Sequence, residues 1–262
     1  MKKVAVWVSL CLFIPVIAIA QDVEQQGDTP QKESAAPARQ DAGGQIKGIS
    51  PLPNYIGRYM QGNPGAYTVP VPSQAVTATI SAVGGGAGGA GAPVGGGAAG
   101  GGAGAVVNFP LSVTPQQTIN IQVGAGGTIN TNGGDTVVSL GTLTIDCGGG
   151  SASPDGTTGG NGGSVSLPFA SVPGGTGGAS GQTGSNGLIN YFAYSGAGGG
   201  GAGANGGNVL LFTGGVANGS NGGGGASAFA NGGNSGQNGA LGSGGAANAA
   251  GGNGFVEITF YK

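Results

Sequence analysis

The sequence predicts an all-β protein with irregular connections. Short strands form a β-sandwich framework, and glycine-rich segments pack against it as left-handed polyglycine II helices with a three-residue period. Three observations predict this class. Apolar and polar residues alternate in several short runs. No stretch carries an apolar stripe of helical period that glycine does not interrupt. Glycine supplies 66 of the 262 residues and often falls on every third position.

The predicted strands are short and evenly spread. Strict alternation of apolar and polar residues, typical of a half-buried strand, occurs in residues 76–82, 118–123 and 256–260. Further runs rich in β-branched and aromatic residues predict strands at 106–113, 136–146, 164–172, 188–194 and 209–213. Glycine bursts separate these runs, so we expect strands and glycine segments to form one folded domain over residues 66–262.

The spacing of glycine predicts how the bursts fold. Glycine occupies every third position throughout residues 175–187 and again throughout 233–245. This period matches the polyproline II type of helix, which has three residues per turn and no internal hydrogen bonds. Glycine on one edge removes Cβ, so a neighbouring chain can approach closely enough for N–H to O=C bonds. Ordering each residue costs ~1–2 kcal/mol, so these helices need the framework and one another. The alternative is that the bursts are flexible Gly/Ser linkers.

The N-terminal region divides into three further parts. Residues 1–20 are predicted to be a secretory signal peptide, with Lys2 and Lys3 before an apolar run and cleavage after Ala20. A membrane anchor is the alternative, but the run lies at the lower limit for a bilayer span. Residues 21–50 are polar and without apolar periodicity, which predicts a disordered tether. Residues 51–65 are expected to be a lead-in segment that packs onto the domain. The mature protein would be secreted or held in a bacterial cell envelope.

The charge distribution excludes several function classes. No lysine, arginine or histidine occurs between Tyr59 and Tyr261, and the chain has no histidine at all. Phosphate binding and nucleic-acid binding depend on cationic side chains, and most acid–base catalysis depends on histidine or paired carboxylates. Net charge is −2, and loss of the two signal lysines makes it −4. We therefore expect no enzyme activity, no cofactor, no metal, no nucleic-acid partner and no stable membrane span after cleavage.

A few polar and reactive residues need separate interpretation. The only acids after residue 42 are Asp135, Asp146, Asp155 and Glu257, and their spacing supports no paired-carboxylate chemistry. The segment 132–135 reads Asn-Gly-Gly-Asp, which favours a tight turn. Cys147, the single cysteine left after signal cleavage, is either a small buried residue or a free thiol able to cross-link chains. The predicted strand before it favours burial.

Three sequence elements resemble a known family. Residues 75–83 form a strand that runs into a glycine burst, and residues 111–127 read as strand, turn, strand and Val-Gly-Ala-Gly-Gly. Residues 254–261 close the chain with Gly-Phe-Val-Glu-Ile-Thr-Phe-Tyr. Together these elements resemble the glycine-rich domain of phage tail-fibre adhesins and of exported bacterial glycine-rich proteins. The resemblance implies layered glycine helices with loops at one end that recognise surface molecules of a cell.

The candidate binding surface is the densest aromatic cluster, Tyr191, Phe192 and Tyr194, since aromatic side chains supply contact area for a carbohydrate or receptor. Its alternative is a core strand. The sequence as a whole predicts a secreted, non-catalytic structural or adhesive protein that self-associates or binds a cell-surface receptor or polysaccharide. The alternative function is ice binding, which flat arrays of glycine helices with low charge would suit.

Overall fold

The computed structural model describes residues 54–91 and 96–262. The predicted signal peptide and tether lie outside the described residues. Within them the fold is all-β and has no α-helix, which confirms the predicted class. Nor does this part of the chain contain a helix that is apolar and long enough to cross a membrane.

Twelve strands in the described residues form two antiparallel sheets of six strands each. The strands in chain order are β1 Tyr55–Gln61, β2 Gly65–Pro70, β3 Thr77–Val83, β4 Ala105–Ser112, β5 Thr118–Val123, β6 Thr136–Leu140, β7 Leu143–Cys147, β8 Val165–Leu167, β9 Ala170–Val172, β10 Ile189–Asn190, β11 Ala193–Tyr194 and β12 Phe255–Tyr261. The first sheet has the order β1-β12-β3-β4-β11-β10, and the second has the order β2-β5-β6-β7-β8-β9.

The core of the framework is formed by alternate residues of these strands. Ile80 of β3 and Ile258 of β12 are fully buried and pair across the first sheet. Ile119 of β5 and Ile145 of β7 are fully buried residues of the second sheet and belong to the same cluster. Residues on the other faces of these strands are more exposed, as in β5, where exposed and buried positions alternate strictly. The half-buried strands are those that the alternation of the sequence predicts.

The glycine segments between the strands are held by backbone hydrogen bonds whose direction repeats every third residue. The N–H groups of Gly84, Gly85 and Gly86 donate to three different segments. The N–H groups of the next three residues donate to the same three segments, and each acceptor carbonyl lies three residues earlier in its segment. The acceptors for residues 84 to 89 are, in order, the carbonyls of Gly104, Gly134, Gly252, Gly101, Thr131 and Ala249. This is the period expected of polyglycine II helices. The flexible-linker alternative is therefore wrong for the described bursts.

The glycine segments form a bundle with an inside and an outside. Five inner segments each exchange backbone bonds with at least five neighbouring segments; they are residues 84–91, 98–104, 195–202, 222–227 and 242–247. Ten outer segments surround them: 124–134, 148–152, 159–163, 174–179, 183–187, 204–208, 213–217, 231–235, 237–240 and 249–254. Glycine is required inside because an added Cβ at most of these positions would overlap a backbone carbonyl of the next segment.

The structure corrects several predicted boundaries. The 136–146 run is a hairpin of β6 and β7, with Gly141 at φ 60° in its turn, and the 164–172 run is the hairpin of β8 and β9. Residues 209–213 were predicted as a strand, but Val209 and Phe212 bridge each other across a turn. The predicted lead-in segment contains β1, which pairs with the terminal β12, and residue 66 falls inside β2.

Candidate binding surface

The four acids of the folded domain form no metal-binding group in the described part of the chain. Among the described residues, no three of the His, Cys, Asp and Glu side chains are placed to hold a metal ion. Asp135 accepts the N–H of Gly149 through Oδ1 at 2.8 Å. Glu257 lies 3.5 Å from Arg58, an exposed pair across β12 and β1. Both contacts hold neighbouring strands or segments together.

The two remaining acids have shifted pKa values with different causes. Hydrogen bonds from the backbone N–H groups of Thr158 and Thr157, with their hydroxyls, lower the pKa of the exposed Asp155 to about 2. Burial, and secondly the charge of Asp135, raises the pKa of Asp146. Its Oδ1 atom is buried without a hydrogen-bond partner in the described part of the chain.

Cys147 is fully buried at the end of β7, so the burial alternative is confirmed. Its Sγ–H points at the carbonyl of Ala82, 3.6 Å away. Burial raises the pKa of this thiol, because the thiolate cannot be hydrated there. The folded protein therefore does not present this thiol for cross-linking.

The three residues of the predicted aromatic cluster lie in different environments. Tyr191 lies at the turn between β10 and β11 with φ 51° and is 85% exposed. Phe192 is partly exposed and packs edge-on against Phe109 with ring centroids 6.0 Å apart. Tyr194 is partly buried against a second apolar cluster. The buried residues of this second apolar cluster are Val83, Ala103, Ala105, Ala197, Val209, Ala226 and Ala228. Only Tyr191 offers its whole ring to solvent, and the segment is a short hairpin, not a continuous core strand.

Further exposed apolar side chains lie beside this hairpin. Gly187, just before it, donates its N–H to the carbonyl of Asn208, and the turn at residues 209–212 follows at once. Leu211 in that turn is 93% exposed. We call this surface the apolar end of the bundle, and its exposed residues are Leu188, Ile189, Tyr191, Leu210 and Leu211. Sequence reasoning missed the two leucines because the run 209–213 was assigned to a strand.

The opposite end of the bundle has a different character. Its turns carry mainly small and polar residues, and they lie together, as shown by the bond from the N–H of Ala202 to the carbonyl of Thr157. Turns at this end include residues 179–182, 202–204, 218–221 and 235–237. Ile129 is an exposed large apolar residue at this end, at 44%. The two ends therefore present different chemistry.

The sides of the bundle are closed by asparagines, which sequence reasoning did not single out. In seven Asn-Gly pairs the glycine N–H donates to a carbonyl of the adjacent segment, and the asparagine Oδ1 accepts a backbone N–H from that same segment. We call this arrangement an Asn-Gly bracket. The bracket asparagines are Asn132, Asn161, Asn186, Asn205, Asn231, Asn238 and Asn253.

The brackets join outer segments to one another around the bundle. Asn130, Asn208 and Asn234 accept backbone N–H groups of outer or adjoining segments in the same way. Each amide oxygen thus occupies the place of a carbonyl that a further helix would supply, so an N–H at the surface is paired. The predicted turn at 132–135 is instead an extended segment, in which Asn132 forms a bracket and Asp135 bonds to Gly149. The repeated Asn-Gly dipeptide was the available signal.

The sequence profile of the glycine-rich domain family matches residues 61–261. The chain belongs to this family. The matched region begins at the last residue of β1 and ends with β12, so it contains the glycine bundle and the framework strands from β2 to β12. Recognition of a glycine-rich domain from its three sequence elements is confirmed.

Two relatives of this glycine-rich domain protein come from the Acanthamoeba polyphaga mimivirus. One, named putative collagenous domain-containing protein R238, is 48% identical over 119 residues, which are 43% of this chain and 27% of the relative. The other, named collagen-like protein 5, is 41% identical over 128 residues, which are 42% of this chain and 14% of the relative. The chain therefore matches a minor part of each relative's length. These relatives are named as viral collagenous or collagen-like proteins, whereas the resemblance named phage tail-fibre adhesins and exported bacterial glycine-rich proteins.

Proposed function

We propose that this glycine-rich domain is a non-catalytic structural and adhesive module of an exported protein. Family membership and the names of the two collagen-like relatives support a structural role. The bundle itself also supports it, because backbone bonds in many directions hold it together and its exposed sides are mostly neutral. Unlike collagen, whose helices associate in threes, the inner glycine segments here are bonded to at least five neighbours each.

The absence of suitable side chains argues for a non-catalytic role. A hydrolase or transferase needs an activated nucleophile or a pair of acid–base groups in one cleft. Cys147 is fully buried. Asp135 and Asp155 accept hydrogen bonds from backbone N–H groups, and Glu257 pairs with Arg58. Binding through neutral and apolar contacts is the chemistry that remains.

The observation that carries the adhesive role is the clustering of exposed apolar side chains at the apolar end. On the sides, by contrast, Asn-Gly brackets pair backbone N–H groups such as those of Thr213 and Ala217. At the apolar end, Tyr191 and Leu211 are almost fully exposed. Clustered exposed apolar residues mark contact sites on soluble proteins. We infer that this end binds a surface molecule of a cell, with a second copy of the chain as the other partner to be tested.

The experiment compares two surface variants of the purified mature protein. Tyr191→Ser with Leu211→Ser removes the exposed apolar contacts, and Ile129→Ser removes a similar residue from the opposite end. We expect wild type and the Ile129 variant to bind cells or cell-wall polysaccharide equally, while the double variant loses at least tenfold in affinity. Equal binding by all three proteins would contradict the assignment of binding to the apolar end, and binding by none would contradict the adhesive role. Sedimentation of the same samples reports whether the apolar end joins two copies.

Export is proposed on the sequence of the first twenty residues. Expression of the full chain with Edman sequencing of the recovered protein tests it, and a mature N-terminus at Gln21 is the expected result. A protein that retains Met1 and stays inside the cell would contradict export without bearing on the binding surface.

Ice binding is the second candidate function. Regularly spaced asparagines favour ice binding. Two of them lie on each side of the outer segment 213–217, and the members of each pair are three residues apart. The pairs are Asn205 with Asn208 and Asn231 with Asn234. At ~3.1 Å rise per residue these amides repeat every ~9 Å. The side chains between them are mixed, including an exposed Val216. Thermal hysteresis of the purified protein decides this alternative, and the absence of ice shaping would end it.

A further inference from the structure

The nine Asn-Gly dipeptides of the chain divide into two classes, according to whether the glycine N–H donates a hydrogen bond. In eight of them this group donates to a backbone carbonyl. Seven of the eight are the Asn-Gly brackets, and the eighth is Asn221-Gly222, where the buried Gly222 donates to the carbonyl of Gly97. In the ninth, Asn218-Gly219, neither the asparagine side chain nor the Gly219 N–H has a hydrogen-bond partner among the described residues.

This difference matters because Asn-Gly can modify itself. The backbone nitrogen of the glycine loses its proton and attacks Cγ of the preceding asparagine, forming a C–N bond that closes a succinimide ring. The Nδ2 group leaves as ammonia after taking up a proton. Water then opens the ring at either carbonyl, which gives aspartate or isoaspartate. The net reaction consumes one water, releases one ammonia and adds one negative charge.

A bracket opposes each requirement of this reaction. The glycine N–H is bonded to a carbonyl, so it is neither free to ionise nor directed at its own side chain. The asparagine Oδ1 is held by a second bond, which fixes Cγ away from the attacking nitrogen. Both bonds must open before the ring can close, and this requirement lowers the population of reactive geometry by roughly 30-fold.

The turn that contains Asn218 lacks this protection. Asn218, Gly219 and Ser220 are exposed, and Gly219 has φ 60° with open space around its Cα. The backbone N–H and carbonyl of Asn218 bond to Asn221, so the turn is formed while the attacking and attacked atoms stay free. Glycine at the attacking position has no side chain to hinder ring closure.

We propose that Asn218 is a site of spontaneous deamidation in the folded protein and that the other eight Asn-Gly pairs are protected by the fold. The product carries a carboxylate at the small, polar end of the bundle, opposite the apolar end. Isoaspartate also inserts a methylene into the backbone between Asn218 and Gly219, which disturbs the bridge to Asn221. The site thus gives the aged protein an altered turn without touching the proposed adhesive surface.

The test is peptide mass spectrometry after incubation of the folded full chain, expressed in bacteria so that the Asn218-Gly219-Ser220 sequon stays unmodified. We expect conversion at Asn218 to be at least tenfold faster than at any bracket asparagine, and faster at pH 9 than at pH 6. Incubation in urea is the matched control, because unfolding removes the protection and should bring all nine sites to similar rates.

Two further variants keep the result interpretable. Asn218→Gln should abolish the fast conversion and leave the other eight sites unchanged. Asn231→Ala removes one bracket and reports whether its loss exposes neighbouring sites. Equal rates at all nine sites in protein with native circular dichroism would overturn the proposal, as would a bracket asparagine that reacts first. Failure of cell binding has no bearing on these rates.

Discussion

The Oδ1 atom of Asn231 accepts the backbone N–H of Thr213 at 2.8 Å, and the N–H of the next residue, Gly232, donates to the carbonyl of that same Thr213 at 3.0 Å. One dipeptide therefore satisfies both backbone groups of a residue in the adjacent segment. Asn231→Ala removes half of the bracket and leaves the Thr213 N–H without its acceptor. We expect a loss of about 1 kcal/mol in the free energy of unfolding, measured with denaturant.

Two other substitutions are controls for Asn231→Ala. Asn231→Asp keeps an acceptor oxygen, as Asp135 does for Gly149, and should retain most of the stability. Asn218→Ala removes an asparagine that forms no bracket and should change stability by less than about 0.5 kcal/mol. Amide exchange at Thr213 should accelerate only in the alanine variant at position 231. Equal stability of all three variants would show that the bracket contributes nothing.

The bundle was predictable from sequence because its cause is local. Glycine at every third position removes Cβ on one edge of an extended helix, whatever the neighbour. The brackets were not predictable to the same degree, because Asn231 and Thr213 are brought together only by the path of the chain between them. An Asn-Gly dipeptide in isolation favours a turn, and that is its state at Asn218. Contacts with neighbouring segments decide whether an Asn-Gly dipeptide forms a turn or a bracket.

Strand predictions failed where an apolar run serves as a turn. Val209 belongs to the second apolar cluster and Phe212 packs against it, whereas Leu210 and Leu211 between them face solvent. Leu210 adopts φ 52°, a conformation that β-branched and bulky residues rarely take. Composition alone favours a strand for such a run. The apolar end was invisible in the sequence for this reason, although Tyr191 was singled out.

One Cβ atom added at an inner glycine should strongly destabilise the bundle. At Gly102 an added Cβ would overlap the carbonyl of Ala226 in an adjacent inner segment. The atoms that an added Cβ would meet belong to backbone, so no flexible side chain can move away. Gly102→Ala should therefore lower the free energy of unfolding by more than about 3 kcal/mol or prevent folding. Gly57→Ala in β1 is the control, because no atom lies within 4 Å of its added Cβ. Thermal unfolding followed by circular dichroism distinguishes them. A Gly102 variant as stable as the Gly57 variant would refute the close packing.

The thiol of Cys147 should be unreactive until the protein unfolds. It is fully buried, and burial raises its pKa, so little thiolate exists at neutral pH. A thiol reagent such as dithiobis(nitrobenzoate) should react with native protein at a rate limited by unfolding and with urea-treated protein at once. Non-reducing electrophoresis of native protein should show no disulfide-linked dimer. Rapid labelling of folded protein would contradict the placement of this side chain.

Asp155 should stabilise its loop in a pH-dependent way. Its carboxylate accepts backbone N–H bonds from Thr157 and Thr158 at 2.8 and 2.6 Å, and these lower its pKa from 3.8 to about 2. Because the folded pKa is the lower one, the stabilisation is present above pH 4 and is lost as pH falls towards 2. Asp155→Ala should therefore melt below wild type at pH 7, and the two proteins should converge near pH 2. Melting temperatures measured from pH 7 to pH 2 check this, with Asp155→Asn as the control that keeps one acceptor. A difference that persists unchanged down to pH 2 would mean that ionisation of Asp155 is not its source.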